Sequence, residues 1–337
     1  MARVDRHYLF SIGRVRELEK SLLNSTHFDR VLEASDPLAV LRSVGFFETA
    51  EDHEHLESVQ LIFRREREFN RRLLHELISD SPVEDIFLLP CDVEILKRLL
   101  KGKLTGAMSA AQAKEITVEE GKFRLADLIA AVYEGAQIGL PARIASAATW
   151  TNELFQERPE HALIDSRLDR ALRAEQIEIA QKAGSRFLAN YFQRLSDVQN
   201  LAVIMRRKWH RFGHIALKDA LFDAGTLTVS WFEGVYDSGW ESLATAFKPT
   251  DYGKIVADAV ADVEHDAFLP LFDVACSNYL MEILRSAKYL SSGLEPIVAY
   301  YLARDHELKL VRMILAGKVF GFQHDALRQR VKRLYID

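Results

Sequence analysis

The chain has 337 residues, more than a single core of about 100–200 residues usually holds, so two or three packed units are expected. Its residues are 48% hydrophobic and 28% charged, which excludes disorder, and 16 glycines with 8 prolines are too few for a sandwich or barrel. The net charge of −5 excludes a general basic attraction to nucleic acid or anionic lipid.

Taken in chain order, the sequence predicts helical elements. The charged N-terminus has no signal peptide, and no uncharged stretch approaches the ~20 residues that span a bilayer, so we expect a soluble protein. Pairs of short helices that end on aromatic residues are predicted after Phe28, Phe123 and Leu227. Long helices are predicted from apolar spacing in residues 56–77, 92–103, 164–179, 197–208, 262–284 and 307–318.

Three of the long segments repeat one pattern: DVEILKRLLKGK at Asp92–Lys103, DVQNLAVIMRRK at Asp197–Lys208 and ELKLVRMILAGK at Glu307–Lys318. Each has an acidic start, an apolar stripe and a terminal lysine, and the copies lie roughly a third of the chain apart. We expect the acids to begin the helices and the basic residues to end them, as the helix dipole favours. Gly102 and Gly317 are predicted as left-handed C-caps, and the middle helix is predicted to run on through Trp209.

The sequence contains few signatures of a catalytic or metal-binding site. Cys91 and Cys276 are too few and too far apart for a disulfide framework or a zinc site, and a reducing compartment fits them. Neither a phosphate-binding loop nor a nucleophile elbow is present, and we expect no cofactor, no metal and no catalytic residue. The acid and histidine pairs at helical spacing, which are too small to ligate a metal, are Glu51 with His55, His210 with His214, and Asp262 with His265.

Basic clusters lie at Lys97–Lys103, Arg206–Arg211 and Arg328–Arg333. They have three interpretations: helix C-termini that satisfy their own dipole, a nucleic-acid surface, or a partner surface repeated three times. The third interpretation, a repeated partner surface, is favoured only if the partner is a ring.

The residues that close the chain resemble a known family. The run from Glu295 to Tyr335 has a proline-led helix, a lysine-containing stretch, a Gly-Lys pair and an arginine-rich segment closing on tyrosine. With the Gly13–Arg16 opening and the repeated helices, it is similar to the C subunit of bacterial and archaeal V/A-type rotary ATPases, equivalent to the d subunit of the eukaryotic V-ATPase. Leu310, where the family often has asparagine, and Phe46-Phe47 depart from the pattern.

The resemblance implies an all-α fold of three pseudo-symmetric helical lobes that form a funnel. We place the lobes at residues 1–112, 113–220 and 221–337. It further implies a non-catalytic central-stalk subunit, peripheral on the cytoplasmic face of the membrane. Such a protein couples the central-stalk shaft subunits to the membrane ring of proteolipid subunits during ATP-linked proton or sodium transport. No nucleic acid and no small-molecule substrate are implied.

On this reading, the residues expected at the partner interface are Lys103, Arg206, Arg207, Lys208 and Lys318. Two other classes of function stay open. A helical-repeat scaffold predicts soluble partners without membrane components. A helical enzyme predicts a deep pocket lined by acids or histidines with perturbed pKa values.

Overall fold

The computed structural model describes residues 8–47, 56–78, 81–119, 121–157, 160–214, 216–265 and 267–337. All regular secondary structure in these ranges is helical, which confirms the predicted all-α class. Within the same ranges, no helix combines the length and the apolar composition that crossing a membrane requires.

The α-helices differ widely in length, from 4 to 25 residues, and the repeated segments lie in three of the five longest. In chain order they are α1 (Leu9–Leu18), α2 (Ser25–Glu33), α3 (Pro37–Ser43), α4 (Leu56–Ile78), α5 (Asp85–Leu104), α6 (Ala110–Ala113), α7 (Leu125–Ile129), α8 (Ala142–Glu157), α9 (His161–Lys182), α10 (Arg186–Trp209), α11 (Leu217–Ala220), α12 (Val229–Tyr236), α13 (Trp240–Phe247), α14 (Gly253–Ala261), α15 (Phe268–Arg285), α16 (Glu295–Val319) and α17 (His324–Arg328). A π turn, Ala130–Glu134, extends α7.

The first compact unit combines both ends of the chain, Met1–Asp80 and Phe247–Asp337. Its central helix, α16, packs against α1, α4 and α15. Side chains from α2, α3, α4, α16 and α17 form one buried cluster, which includes Phe28, Leu41, Phe63, Val311 and Leu327. The N-terminal short helices therefore pack on the last long helix of the chain.

The second compact unit is the continuous segment Ser81–Ala246. Its central helix, α9, packs against α5, α8 and α10. The apolar cluster of this unit joins α5, α7, α8 and α9, and it includes Leu96, Leu128, Ile144 and Leu168. Each unit thus has its own core, and the division into three lobes stays a prediction.

The three repeated acids do not begin their helices, so that prediction is wrong. The helices α5, α10 and α16 start several residues earlier, and α5 continues through Pro90. Asp92, Asp197 and Glu307 therefore lie in helix interiors, where they are at most 1% exposed. An ionised carboxylate at such depth needs hydrogen-bond donors from elsewhere in the chain.

The predicted glycine caps are also wrong, because Gly102 and Gly317 lie inside α5 and α16. Their missing side chains make room for close packing: a Cβ at Gly102 would lie 2.6 Å from the Cβ of Met108, and one at Gly317 would overlap Leu327. The left-handed residues that end these helices are Gly106 and Gly321, three residues after each lysine. In the middle copy α10 ends at Trp209 as predicted, and Arg211 takes the left-handed place.

Candidate functional site

Each buried acid of the repeat binds the backbone just before a short helix. Asp92 accepts hydrogen bonds from the N–H groups of Lys122 and Phe123, at 2.9 and 3.1 Å, ahead of α7. Asp197 accepts from Thr226 and Leu227 at the same two distances, ahead of α12. Glu307 accepts from the N–H of Leu23 at 2.9 Å, ahead of α2.

Each terminal lysine of the repeat binds the far end of the same short helix. The Nζ of Lys103 donates to the carbonyl oxygen of Val132 at 2.5 Å. Lys208 donates to that of Tyr236 at 3.1 Å, and Lys318 donates to that of Ala34 at 2.7 Å. All three ammonium groups thus satisfy carbonyls that would otherwise lack a partner at a helix C-terminus.

We call each acid and lysine of the repeat a clamp: Asp92 with Lys103, Asp197 with Lys208, and Glu307 with Lys318. The two members are eleven residues apart on one helix, or about 16 Å. The acid faces the N-terminal side of the short helix and the lysine its C-terminal end, so both charges complement the dipole of the short helix. The prediction related these charges to the dipole of their own helix, whereas in the structure they bind the neighbouring short helix.

Two of the acids, Asp92 and Glu307, are held in partly unfavourable surroundings. Burial raises the pKa of Asp92 from 3.8 to about 6, although the N–H groups of Lys122 and Phe123 act in the opposite direction. Burial also raises the pKa of Glu307, while the charge of the neighbouring Arg304 acts in the opposite direction. Burial lowers the pKa of the Lys208 ammonium group. The hydrogen bonds of the clamps therefore offset a real cost of desolvation.

The third clamp includes a buried arginine. The Arg304 guanidinium lies 3.4 Å from carboxylate oxygens of both Glu66 and Glu307. It stacks 4.1 Å from the centre of the Phe46 ring and donates to the Phe46 carbonyl oxygen. This cluster fixes α4 and the residues after α3 on α16.

The residues predicted at a partner interface fall into two groups. Lys103, Lys208 and Lys318 are partly buried and bind backbone carbonyls of their own chain. Arg207 donates to the carbonyl oxygen of Gly213 at 2.8 Å, within the turn after α10, whereas the Arg206 side chain is exposed. Their role at a partner interface stays a prediction.

Sequence reasoning missed the apolar residues beyond the helix ends. Val319, Phe320 and Phe322 are 56%, 79% and 53% exposed at or just after the end of α16, and Phe212 is 59% exposed after α10. Aromatic residues past a predicted helix end, where polar turn residues are usual, were the available signal. Exposed apolar side chains grouped in this way are typical of interaction surfaces.

The acid and histidine pairs do not form a metal centre in the part of the chain that the structure describes. His210 packs on the Phe212 ring and His214 on the Tyr236 ring, at 5.8 and 5.7 Å between centroids. His265 donates its backbone N–H to the carbonyl oxygen of Asp262. The third pair, Glu51 with His55, lies outside the described residues.

Comparison with known proteins covers nearly the whole chain. A family model described as ATP synthase (C/AC39) subunit matches residues 11–330. The C subunit of the V-type sodium ATPase of Enterococcus hirae is 20% identical over 338 residues, which cover 98% of this chain and 99% of that protein. The C subunit of the A-type ATP synthase of Methanosphaera stadtmanae is 24% identical over 137 residues, which cover 40% of this chain and 36% of that protein. The corresponding A-type ATP synthase protein of Methanocaldococcus jannaschii is 23% identical over 138 residues, which cover 39% and 34%.

Proposed function

The chain belongs to the ATP synthase (C/AC39) subunit family, and on that premise we propose that it is a central-stalk subunit of a V/A-type rotary ATPase. In this role it couples the stalk shaft to the membrane ring of proteolipid subunits, on the cytoplasmic face of the membrane. The transported ion is a proton or sodium. The three predicted lobes and their funnel belong to the same proposal.

The tripled clamp is the observation that carries this proposal. A coupling subunit must transmit torque, so its short helices have to stay fixed relative to the long ones under load. Each clamp binds both ends of a short helix through a buried acid and a lysine, at Asp92 and Lys103, for example. Hydrogen bonds that involve a charged group contribute about 1.5–3 kcal/mol each, more than neutral ones.

We propose that the subunit is non-catalytic and needs no cofactor. The charged groups that recur in the sequence are used to hold backbone N–H and carbonyl groups, and the relatives are named as subunits of ATPase and ATP synthase complexes. Catalysis then belongs to other subunits of the complex.

The test is recovery of the complex. The tag is placed at the N-terminus, because the Asp337 carboxylate accepts a hydrogen bond from the Ser25 N–H and the C-terminus is engaged. Solubilised source membranes are purified on the tag, and co-purifying proteins are identified by mass spectrometry. We expect nucleotide-binding subunits, stalk subunits and a small proteolipid. Recovery with soluble partners alone would reject the coupling role and favour the scaffold.

Ring contact by the basic helix ends is a separate proposal, and Arg206 tests it best. The three lysines are poor test positions, because their loss would release a short helix. We expect Arg206→Glu to reduce recovery of the proteolipid with the tagged subunit. Arg186→Glu, which changes an exposed arginine at the opposite end of α10, is the matched control. Equal proteolipid recovery with both variants would remove Arg206 from the interface.

A further inference from the structure

A groove of about 1090 Å³ lies in the first unit, beside the end of α16. Its walls come from α4, from the connection between α2 and α3, and from the last turns of α16. Most of the lining is apolar, and it includes Val59, Phe63, Leu315 and Phe320, with Arg312 as a charged residue on the α16 wall.

The second unit contains a pair of helices equivalent to the pair that lines the groove. In both units an amide side chain binds a carbonyl six residues before the repeated acid: Gln176 to Ile86 at 3.0 Å, and Asn70 to Tyr301 at 3.3 Å. The pair α9 and α5 in the second unit therefore corresponds to the pair α4 and α16 in the first. Residues at equal distances from these contacts occupy equivalent positions.

At the equivalent positions of the second unit, two ion pairs join the two helices. Lys97 lies 2.6 Å from Asp169, and Lys101 lies 2.5 Å from Asp165. These bonds join α5 to α9 where the two helices pass each other.

In the first unit none of these four positions carries an ion pair. Arg312 stands where Lys97 does, with Phe63 in place of Asp169. Ala316 and Val59 replace the second pair. The Arg312 side chain is exposed and makes no hydrogen bond or ion pair with any residue that the structure describes.

The end of α16 also carries a more apolar residue than the ends of α5 and α10 do. Two residues after the lysine of each clamp stand Thr105, His210 and Phe320. Only the last is a large apolar residue, and it is 79% exposed. The groove thus combines an apolar floor with a guanidinium that lacks the carboxylate its counterpart has.

From this we infer that the groove binds an amphipathic helix of another protein, with an aspartate or glutamate at the edge of its apolar face. The apolar face covers Val59, Phe63 and Phe320, and the carboxylate pairs with Arg312, as Asp169 pairs with Lys97 in the second unit. Asp36 lines the opposite wall, so the groove carries both signs of charge. That mixture suits a protein segment better than an anionic membrane surface. We expect this partner among the subunits of the same complex. That expectation rests on the proposed function.

Photocrosslinking in intact cells tests the inference. A benzophenone side chain replaces Phe320, which is exposed enough to substitute without disturbing the core, and the tagged chain is purified after irradiation. We expect an adduct with one protein, mapped to a helical segment that has a carboxylate beside its apolar residues. An adduct with lipid, with a second copy of the chain, or with a segment lacking a carboxylate would overturn the inference, as would the absence of any adduct.

Charge reversal gives the second readout. Arg312→Glu should lower the crosslinking yield up to about fivefold, the size expected of one exposed ion pair. Replacing the partner's carboxylate residue with arginine should restore the yield. Arg98→Glu, on the counterpart helix, should leave it unchanged. An unchanged yield in Arg312→Glu would also overturn the inference. Because irradiation precedes purification, a missing adduct is separable from failure to recover the ATPase complex, which would instead contradict the proposed function.

Discussion

Asp197 shows at the scale of one residue how the clamp works, because both of its oxygens accept backbone N–H groups. Asp197→Asn replaces one acceptor with a donor that faces an N–H. We expect the free energy of unfolding to fall by about 1–3 kcal/mol. All four tryptophans lie in the second unit, so urea unfolding followed by tryptophan fluorescence reports on this unit. Asp223→Asn, an exposed control in the same unit, should change it by less than about 0.5 kcal/mol; equal losses would refute a special role for Asp197.

The buried Asp92 predicts a pH dependence with a definite sign. Its folded pKa of about 6 lies above the ordinary value of 3.8, so between these values the folded state binds more protons than the unfolded state. Stability from this group is present at pH 4 and lost as the pH rises through 6, by up to about 3 kcal/mol. Wild type and Asp92→Asn should therefore diverge in free energy of unfolding between pH 4 and 6 and run parallel above. Parallel curves throughout would contradict the raised pKa.

At the scale of the element, close packing explains the glycines inside α5 and α16. Gly102→Ala adds a good helix former, yet its Cβ would lie 2.6 Å from the Cβ of Met108. We expect this variant to lose about 1–3 kcal/mol of stability. Gly13→Ala is the matched control, because that position in α1 has open space around it, and it should gain about 0.5–1 kcal/mol. Thermal unfolding of both variants decides the matter, and a stabilised Gly102→Ala would show that the contact is easily relieved.

The helices, their repeat and the terminal lysines could be predicted from the sequence because apolar spacing and basic helix ends are local properties. The place of Asp92 inside α5 could not, since the helix runs through Pro90 and the rule that places acids at N-termini pointed to Asp92. The role of the acid depends on Lys122 and Phe123, which come from the segment ahead of α7. A pattern within one helix does not specify which other element will supply the donors.

At the scale of the whole molecule, two of the clamps close over short distances in sequence and the third does not. Glu307 binds Leu23 and Lys318 binds Ala34, each across 284 positions. The first and last parts of the chain thus complete one repeat between them. This pairing could not be predicted from local patterns.

This closure predicts that the two units differ in their ability to fold alone. The fragment Ser81–Ala246 is continuous and contains both members and both targets of two clamps, so we expect a helical fragment that unfolds cooperatively. Residues 247–337 contain Glu307 and Lys318 but lack Leu23 and Ala34, which leaves α16 without its partners. That fragment should stay largely unfolded by circular dichroism until residues 1–80 are supplied as a second chain. An independently folded 247–337 fragment would show that the apolar core of α15 and α16, and not the long-range clamp, determines the fold of this unit. No gain on mixing would contradict a decisive role for the contacts of Glu307 and Lys318 with residues 1–80.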